Sequence, residues 1–278
     1  MNRARLAVTA ITLDFGNTLA RVDRRGYREV VEQTADGLTA RGVVRDRDGF
    51  LTAWAEERER QFREEVPEFR EVDIEQRAVR VLARLSGVAP PPPDARWNDL
   101  AAAVELEKAQ VDAVVDVYSA AFVEGIEPVA DALSTLESLS RRGFRLAILS
   151  NWPLAITIDR FADAQGWTRH LRAIVVSQRV GTIKPHPSIF RAAEVALGLT
   201  PADAAAILHV GDDWAADVVG GSRAGWHTAY LRDRQEDTPL PTSSRDQGAG
   251  GSDEPPITSD LEIDELAELD ALVELAGT

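Results

Sequence analysis

The sequence has no cysteine, one methionine and only two lysines, Lys108 and Lys184, among its 278 residues. Without cysteine there is no disulfide framework, no thiolate zinc site and no cysteine nucleophile. Four histidines are too few for a histidine-rich metal centre. No stretch approaches the roughly 20 apolar residues of a membrane span. The first ten residues carry Arg3 and Arg5 but lack the apolar run of a secretory signal. Excess base is missing too. The formal net charge is -15, whereas phosphate backbones need clustered Lys and Arg and anionic membranes attract polybasic segments. These absences predict a cytoplasmic protein without nucleic-acid or membrane partners, present as a monomer or homodimer. Arginine supplies nearly all the positive charge, so a lysine at a chemically suggestive position stands out.

Apolar residues make up 44% of the chain and charged ones 28%. That composition is globular, and the length suits one or two domains. The acidity is uneven. Residues 233–278 hold 13 acidic against 2 basic side chains, a net of -11, and residues 1–232 hold 33 against 29, a net of -4. The two regions therefore need separate readings.

Leu6 to Leu13 reads as a short β-leaning run that ends at Asp14, followed by the turn-rich Phe15-Gly16-Asn17-Thr18. From about Tyr27 to Phe122 the apolar spacing is helical, broken at Pro90–Pro93 and then continuous from Asp94 to about Glu124. After Gly125 strands and helices alternate. Strands are expected over Arg145–Leu149, Ala173–Ser177, Ala205–Val210 and Thr228–Leu231. Helices are expected over Pro128–Arg142, Ile156–Gly166, Pro187–Leu197 and Ala215–Ala224. Such alternation predicts an α/β fold, a doubly wound parallel sheet with helices on both faces. Because its first strand precedes the helical stretch, the expected division is a core of residues 1–20 and 125–278 with an all-helical cap at 21–124 inserted. Residues 233–257 read as a flexible insertion rich in Pro, Gly, Ser and Asp. Asp260–Ile263 reads as a last strand and Asp264–Leu275 as a closing helix.

Sites in open α/β sheets form at the carboxyl ends of the strands. Four loops there carry Asp14, Ser150-Asn151, Lys184-Pro185, and Gly211-Asp212-Asp213 with Asp217. Carboxylates, a hydroxyl and a lysine converging on one edge suit phosphoryl transfer. One carboxylate attacks phosphorus, others hold a divalent metal, and the lysine and serine stabilise phosphoryl oxygens.

The ordered set Asp14-Phe15-Gly16-Asn17-Thr18-Leu19, Ile148-Leu149-Ser150-Asn151, Lys184-Pro185-His186-Pro187 and His209-Val210-Gly211-Asp212-Asp213 with Asp217 resembles the haloacid dehalogenase superfamily. The resemblance covers residues 6–20 and 126–275, while 21–124 matches only by position and helicity. It implies a hydrolase of phosphatase type with a Rossmann-like core and a small phosphorylated substrate. Asp14 would be the nucleophile and form an aspartyl-phosphate. Asp14, the Gly16 carbonyl and Asp212 would bind Mg²⁺, with Asp217 and Asp213 completing or orienting the metal shell. Ser150 and Asn151 would meet the substrate, and Lys184 would hold Asp14 and the phosphoryl group together.

The resemblance breaks at Gly16, where family phosphatases usually carry an aspartate that protonates the leaving oxygen and later activates water. General acid–base catalysis is worth about 10²–10⁴-fold. A good leaving group, a substitute acid from the cap or substrate, or a loss of hydrolysis in favour of binding would each account for the glycine. The alternatives are thus a weakened or non-catalytic binding protein and, further off, a 2-haloacid dehalogenase. A metal-free dehalogenase has little use for three clustered carboxylates. His186 reads as a loop residue, and Arg21, Arg24 and Arg25 as a solvated basic cluster.

Overall fold

The computed structural model describes residues 5–103, 106–232, 234, 237–241 and 257–277. The opening apolar run is interrupted at Thr9, which divides it into β1 (Leu6–Val8) and β2 (Ala10–Leu13). Then follow β3 (Ala20–Arg21), β4 (Glu127–Pro128), β5 (Arg145–Ser150), β6 (Ala173–Val176), β7 (Ile207–Gly211), β8 (His227–Leu231), β9 (Leu261–Ile263) and β10 (Val273–Leu275). Six strands form one parallel sheet in the order β6-β5-β2-β7-β8-β9. The central β2 is flanked by strands that come much later in the chain, so the crossing direction reverses beside it. The carboxyl ends of β2, β5 and β7 open onto that reversal, where an open α/β sheet forms its crevice.

Both sheet faces are covered, as the unbroken apolar strands require. Leu146 and Ile148 of β5 pack with Ile11, Leu13, Leu208 and Val210 on one face. Ala147 and Leu149 pack with Ala10, Val175, Ile189 and Phe190 on the other. The period of two also turns Thr12 and His209 to one side, where their side chains meet at 2.8 Å.

Between β3 and β4 the chain forms helices Arg24–Ala40, Arg47–Glu65, Ile74–Leu85, Asp99–Ala103 and Lys108–Gly125. Three of them start on an aspartate cap. Asp23 accepts from Gly26 N at 2.6 Å, Asp46 from Gly49 N at 2.9 Å and Asp73 from Glu75 N at 2.7 Å. β3 and β4 pair antiparallel where the chain leaves the core and returns. An aromatic cluster ties the two layers together. Phe15, beside Asp14, packs edge-on against Trp152 and Phe161, while Phe122 of the last inserted helix meets the same two rings.

Three sequence expectations change. The continuous helix over Asp94–Glu124 is two helices, because the Glu107 amide donates to the Gln110 side chain at 3.2 Å and restarts the turn. Val104 lies outside the described residues. Asp264–Leu275 is not one closing helix. After short turns over Leu266–Leu272 it becomes β10, which pairs parallel with β1 and covers an otherwise open edge. The expected helix over Ala215–Ala224 begins as a wide π-type turn, Trp214–Val219, before Gly220–Arg223. Most of the acidic insertion lies outside the described residues, but Asp237–Pro241 lies within them and is not remote from the predicted site. Among the described residues no helix is long and apolar enough to cross a membrane.

Candidate active site

Asp14 is the first residue after β2, and its amide still extends the ladder to the Val210 carbonyl at 2.8 Å. That bond fixes the backbone from which the carboxylate projects. Lys184 arrives from the loop after Gly181 and is 3% exposed. Its ammonium uses its three donors on Asp14 Oδ1 at 2.7 Å, Asp217 Oδ1 at 2.7 Å and the Leu149 carbonyl at 2.9 Å. Burial alone would lower its pKa, but the two carboxylates outweigh that and raise it. Lys184 is therefore a fixed positive charge.

Asn151 holds the backbone of Lys184 from both sides. Its Nδ2 donates to the Lys184 carbonyl at 3.0 Å, and its Oδ1 accepts from the Lys184 amide at 2.6 Å. Expected at the substrate, Asn151 instead spends both polar atoms on the lysine loop, although it still lines the cavity. The Lys184–Pro185 peptide is cis.

Asp217 is the most heavily engaged carboxylate. Besides Lys184 it accepts from the Asp213 amide at 2.9 Å and lies 3.0 Å from His209 Nε2. Burial would raise its pKa, yet Lys184 and His209 overcome that and lower it. Gly211 makes room for this side chain, since a Cβ there would sit 2.1 Å from Asp217 Oδ2. Asp14 and Asp212 behave oppositely. Burial raises the pKa of Asp14 against the pull of Lys184. Burial, with the charges of Asp14, Asp217 and Asp213, raises that of Asp212 well above the carboxylate range.

Carboxylate oxygens of Asp14, Asp212 and Asp217 lie within 4.8 Å of one another. Three buried hard-oxygen donors around one lysine leave a negative excess that a small divalent cation would neutralise, so the donor set fits magnesium. Asp213 is not one of the three. Its carboxylate caps the following turn by accepting from Ala216 N at 2.8 Å. Ser150 lies at the end of β5, and its buried hydroxyl has no hydrogen-bond partner among the described residues. A buried unpaired hydroxyl is costly, and Ser150 does not itself line the cavity.

The cavity at these strand ends has a volume of about 140 Å³. Asp14, Gly16, Lys184, Asp212 and Asp217 form its floor. Its walls include residues that motif reading missed, namely Tyr27, Arg58 and Arg77 of the inserted helices, Glu71 of the connection before Ile74 and Leu240 of the acidic segment. Arg77 is 2% exposed and donates to Gln61 Oε1 at 2.9 Å, with its guanidinium 5.1 Å from the Trp54 ring centre. Burial lowers its pKa. Glu71 accepts from Ser177 Oγ and from Val72 N, and burial pushes its pKa up to about 7. No motif in the sequence marks these residues. His209, quoted in the fourth motif without a role, is polar at a buried strand position and meets Asp217. His186 caps helix Pro187–Leu197, and Arg24 and Arg25 are exposed and pair with Asp237 and Glu29.

Comparison with known proteins agrees with this geometry. The haloacid dehalogenase-like hydrolase family matches residues 8–225. The chain is 31% identical over 161 residues to a ribulose-1,5-bisphosphate 5-phosphatase of Halopiger xanaduensis, covering 58% of this chain and 63% of the relative. It is 30% identical to a glyceraldehyde 3-phosphate phosphatase of Methanopyrus kandleri, covering 60% and 65%. The chain thus spans just under two thirds of the length of each. A Mycobacterium tuberculosis phosphatase is 28% identical, covering 72% and 91%. In fold, the chain is similar to a 2-haloacid dehalogenase of Pseudomonas syringae, with a TM-score of 0.62, 19% identity and coverage of 95% and 97%. A phosphatase of Thermococcus onnurineus gives 0.52, 17%, 94% and 95%.

Proposed function

The chain belongs to the haloacid dehalogenase-like hydrolases, and from that premise we propose that it hydrolyses a small phosphate ester through Asp14. The carrying observation is the Lys184 ammonium shared between Asp14 and Asp217, all three lining one cavity. Asp14 is the nucleophile. One of its carboxylate oxygens bonds to phosphorus as the bond to the leaving oxygen breaks, giving an aspartyl-phosphate. Lys184 keeps Asp14 oriented and places a positive charge beside the phosphoryl oxygens. Asp217, itself tied by His209 and the Asp213 amide, fixes the far side of Lys184. Ser150 donates its spare hydroxyl to a phosphoryl oxygen, and Asn151 positions Lys184.

Asp14 and Asp212, with Asp217 behind them and the Gly16 carbonyl beside them, would hold Mg²⁺, which neutralises phosphoryl charge when bound. The insertion of residues 21–124 acts as a cap that excludes water and contributes Tyr27, Arg58, Glu71 and Arg77 to the wall. Phosphatase-named relatives support a small phosphorylated substrate.

The test is phosphate release from a panel of phosphorylated metabolites, with Mg²⁺, by wild type and Asp14→Asn. Wild-type turnover that falls by about 10⁴-fold or more in the variant is expected of a lost nucleophile. Halide release from 2-haloacids instead of phosphate would replace the reading. Phosphate binding without turnover would favour the second reading, a binding protein, which the missing acid at Gly16 keeps open.

A further inference from the structure

Space, and not backbone, accounts for Gly16. It is not among the positive-φ residues, whereas its neighbour Asn17 stands at φ 57. A Cβ on Gly16 would lie 2.7 Å from Leu240 Cδ1 and 3.5 Å from Trp152 Cζ3. Leu240 in its present seat and any side chain at 16 therefore exclude one another. Leucine is flexible at its end, so a side chain at 16 would displace Leu240 without breaking the loop.

Leu240 is held there from several directions. Asn17 Nδ2 donates to Thr238 Oγ1 at 3.1 Å, and the Leu240 amide donates to the same oxygen at 3.2 Å. Arg58 Nη2 donates to the Pro239 carbonyl at 2.6 Å, and the Arg24 amide to the Asp237 carbonyl at 2.8 Å. The nucleophile loop and two of the inserted helices thus grip one strap, and its Pro239, Leu240 and Pro241 all line the cavity that holds Asp14.

We propose that Gly16, with its side-chain space filled by Leu240, leaves no acid beside the leaving oxygen, so that the site takes phosphate esters whose leaving oxygen departs as a stable anion. The substrate class is then an aryl or enol phosphate in preference to an alkyl one. This rests on the phosphatase reading above. When Asp14 bonds to phosphorus, the breaking P–O pair leaves on the ester oxygen. A phenol has a pKa of about 10 and carries that pair unaided. An alkoxide resembles hydroxide, whose parent water has a pKa of about 15.7, and needs a proton as it leaves. A leucine at this place supplies none. Water then attacks phosphorus of the aspartyl-phosphate, the electron pair returns to Asp14, and inorganic phosphate departs. With no base at 16, this second step is the slow one.

Ring-substituted phenyl phosphates and phenethyl phosphate, given to wild type, Asp14→Asn, Leu240→Ala and the double variant Gly16→Asp/Leu240→Ala, test the proposal. Thermal midpoints report whether each variant folds. In wild type, kcat/KM should fall roughly tenfold per unit of leaving-group pKa, with a burst of phenolate before the steady rate. Leu240→Ala alone should keep that slope, because it adds no acid. The double variant should flatten it and raise phenethyl phosphate relative to phenyl phosphate by about tenfold or more. A shallow wild-type slope, or phenethyl phosphate cleaved as fast as phenyl phosphate, overturns the proposal and leaves the phosphatase reading standing. No Asp14-dependent turnover of any ester overturns both. If the double variant does not fold, the wild-type slope still decides.

Discussion

Two regions of this molecule bury charge, and they balance it differently. In the inserted helices Arg80, 2% exposed, donates to Asp99 Oδ1 at 2.7 Å and to Glu64 Oε2 at 3.0 Å. Arg84 donates to Glu57 at 2.9 Å, whose other oxygen accepts from Trp97 Nε1 at 2.8 Å. Arg60 donates to the carbonyls of Pro91 and Pro92. Cations find acceptors throughout this network, and it touches the cavity wall only indirectly, from Asp99 through Gln76 and Gln61 to Arg77. At the strand ends three buried carboxylates cluster, and one lysine pairs with two of them, Asp14 and Asp217. Burial first, and the neighbouring carboxylates second, push up the pKa values of Asp14 and Asp212, and the cluster faces a cavity. Buried charge by itself is a structural device in one region. Unbalanced buried charge beside open space is what marks a site in the other.

The sharpest break of this comparison is Lys184→Met. It should lower kcat/KM for phosphate release by about 10²–10³-fold. It should also destabilise the fold by about 3–5 kcal/mol, because Asp14 and Asp217 lose their shared partner. Steady-state kinetics and urea unfolding read the two effects. Unchanged kinetics would remove the functional half of the contrast.

Magnesium should act on one region only. At a hundredfold excess over its Kd it would stabilise the fold by about 2.7 kcal/mol, seen as a higher thermal midpoint. Asp212→Asn should abolish most of that gain, whereas Arg80→Met should leave it intact. A full magnesium shift in Asp212→Asn would show that the carboxylate cluster is not where the ion binds.

Arg80→Met itself should cost about 2 kcal/mol or more, since it leaves Glu64 and Asp99 without their cation. Its kcat per folded molecule should match wild type. A large loss of kcat would mean that the matched network shapes the site after all.

Glu71, on the cavity wall, gives the smallest effect. Its carboxyl holds a proton more tightly folded, near pH 7, than unfolded, near 4.5. The folded state therefore binds more protons across that window, and stability falls as pH rises through it and stays lower above pH 7. Glu71→Gln should remove about 1–2 kcal/mol of that decline, discounted for partial exposure. Unfolding free energies at pH 4.5 and 8 measure it, and identical pH slopes in both proteins would refute it.

Much of this was legible in the chain. Asp14, Lys184, Asp212 and Asp217 stand out because each follows a strand signal or is a rare residue type, and the sheet brings them together. The Pro90–Pro93 break follows from local chemistry, since proline cannot continue a helix. What the sequence misread came from long-range competition. Leu269, Leu272 and Leu275 have helical spacing, yet β1 claims Val273–Leu275 as a strand. Nor does local pattern show that the Asn151 amide holds the Lys184 backbone while lining the cavity.

The sequence by itself determined the alternating core, the inserted helices and the loop ends carrying the reactive side chains. Periodicity, caps and turns act over a few residues and can be read along a line. Only the tertiary structure decided that Asp217 serves Lys184 as much as any metal, and that Arg77 and Glu71 reach the cavity. It alone brought Leu240, more than two hundred residues along, into the space left by Gly16. Those outcomes depend on volume and charge balance between distant segments, which no local pattern records.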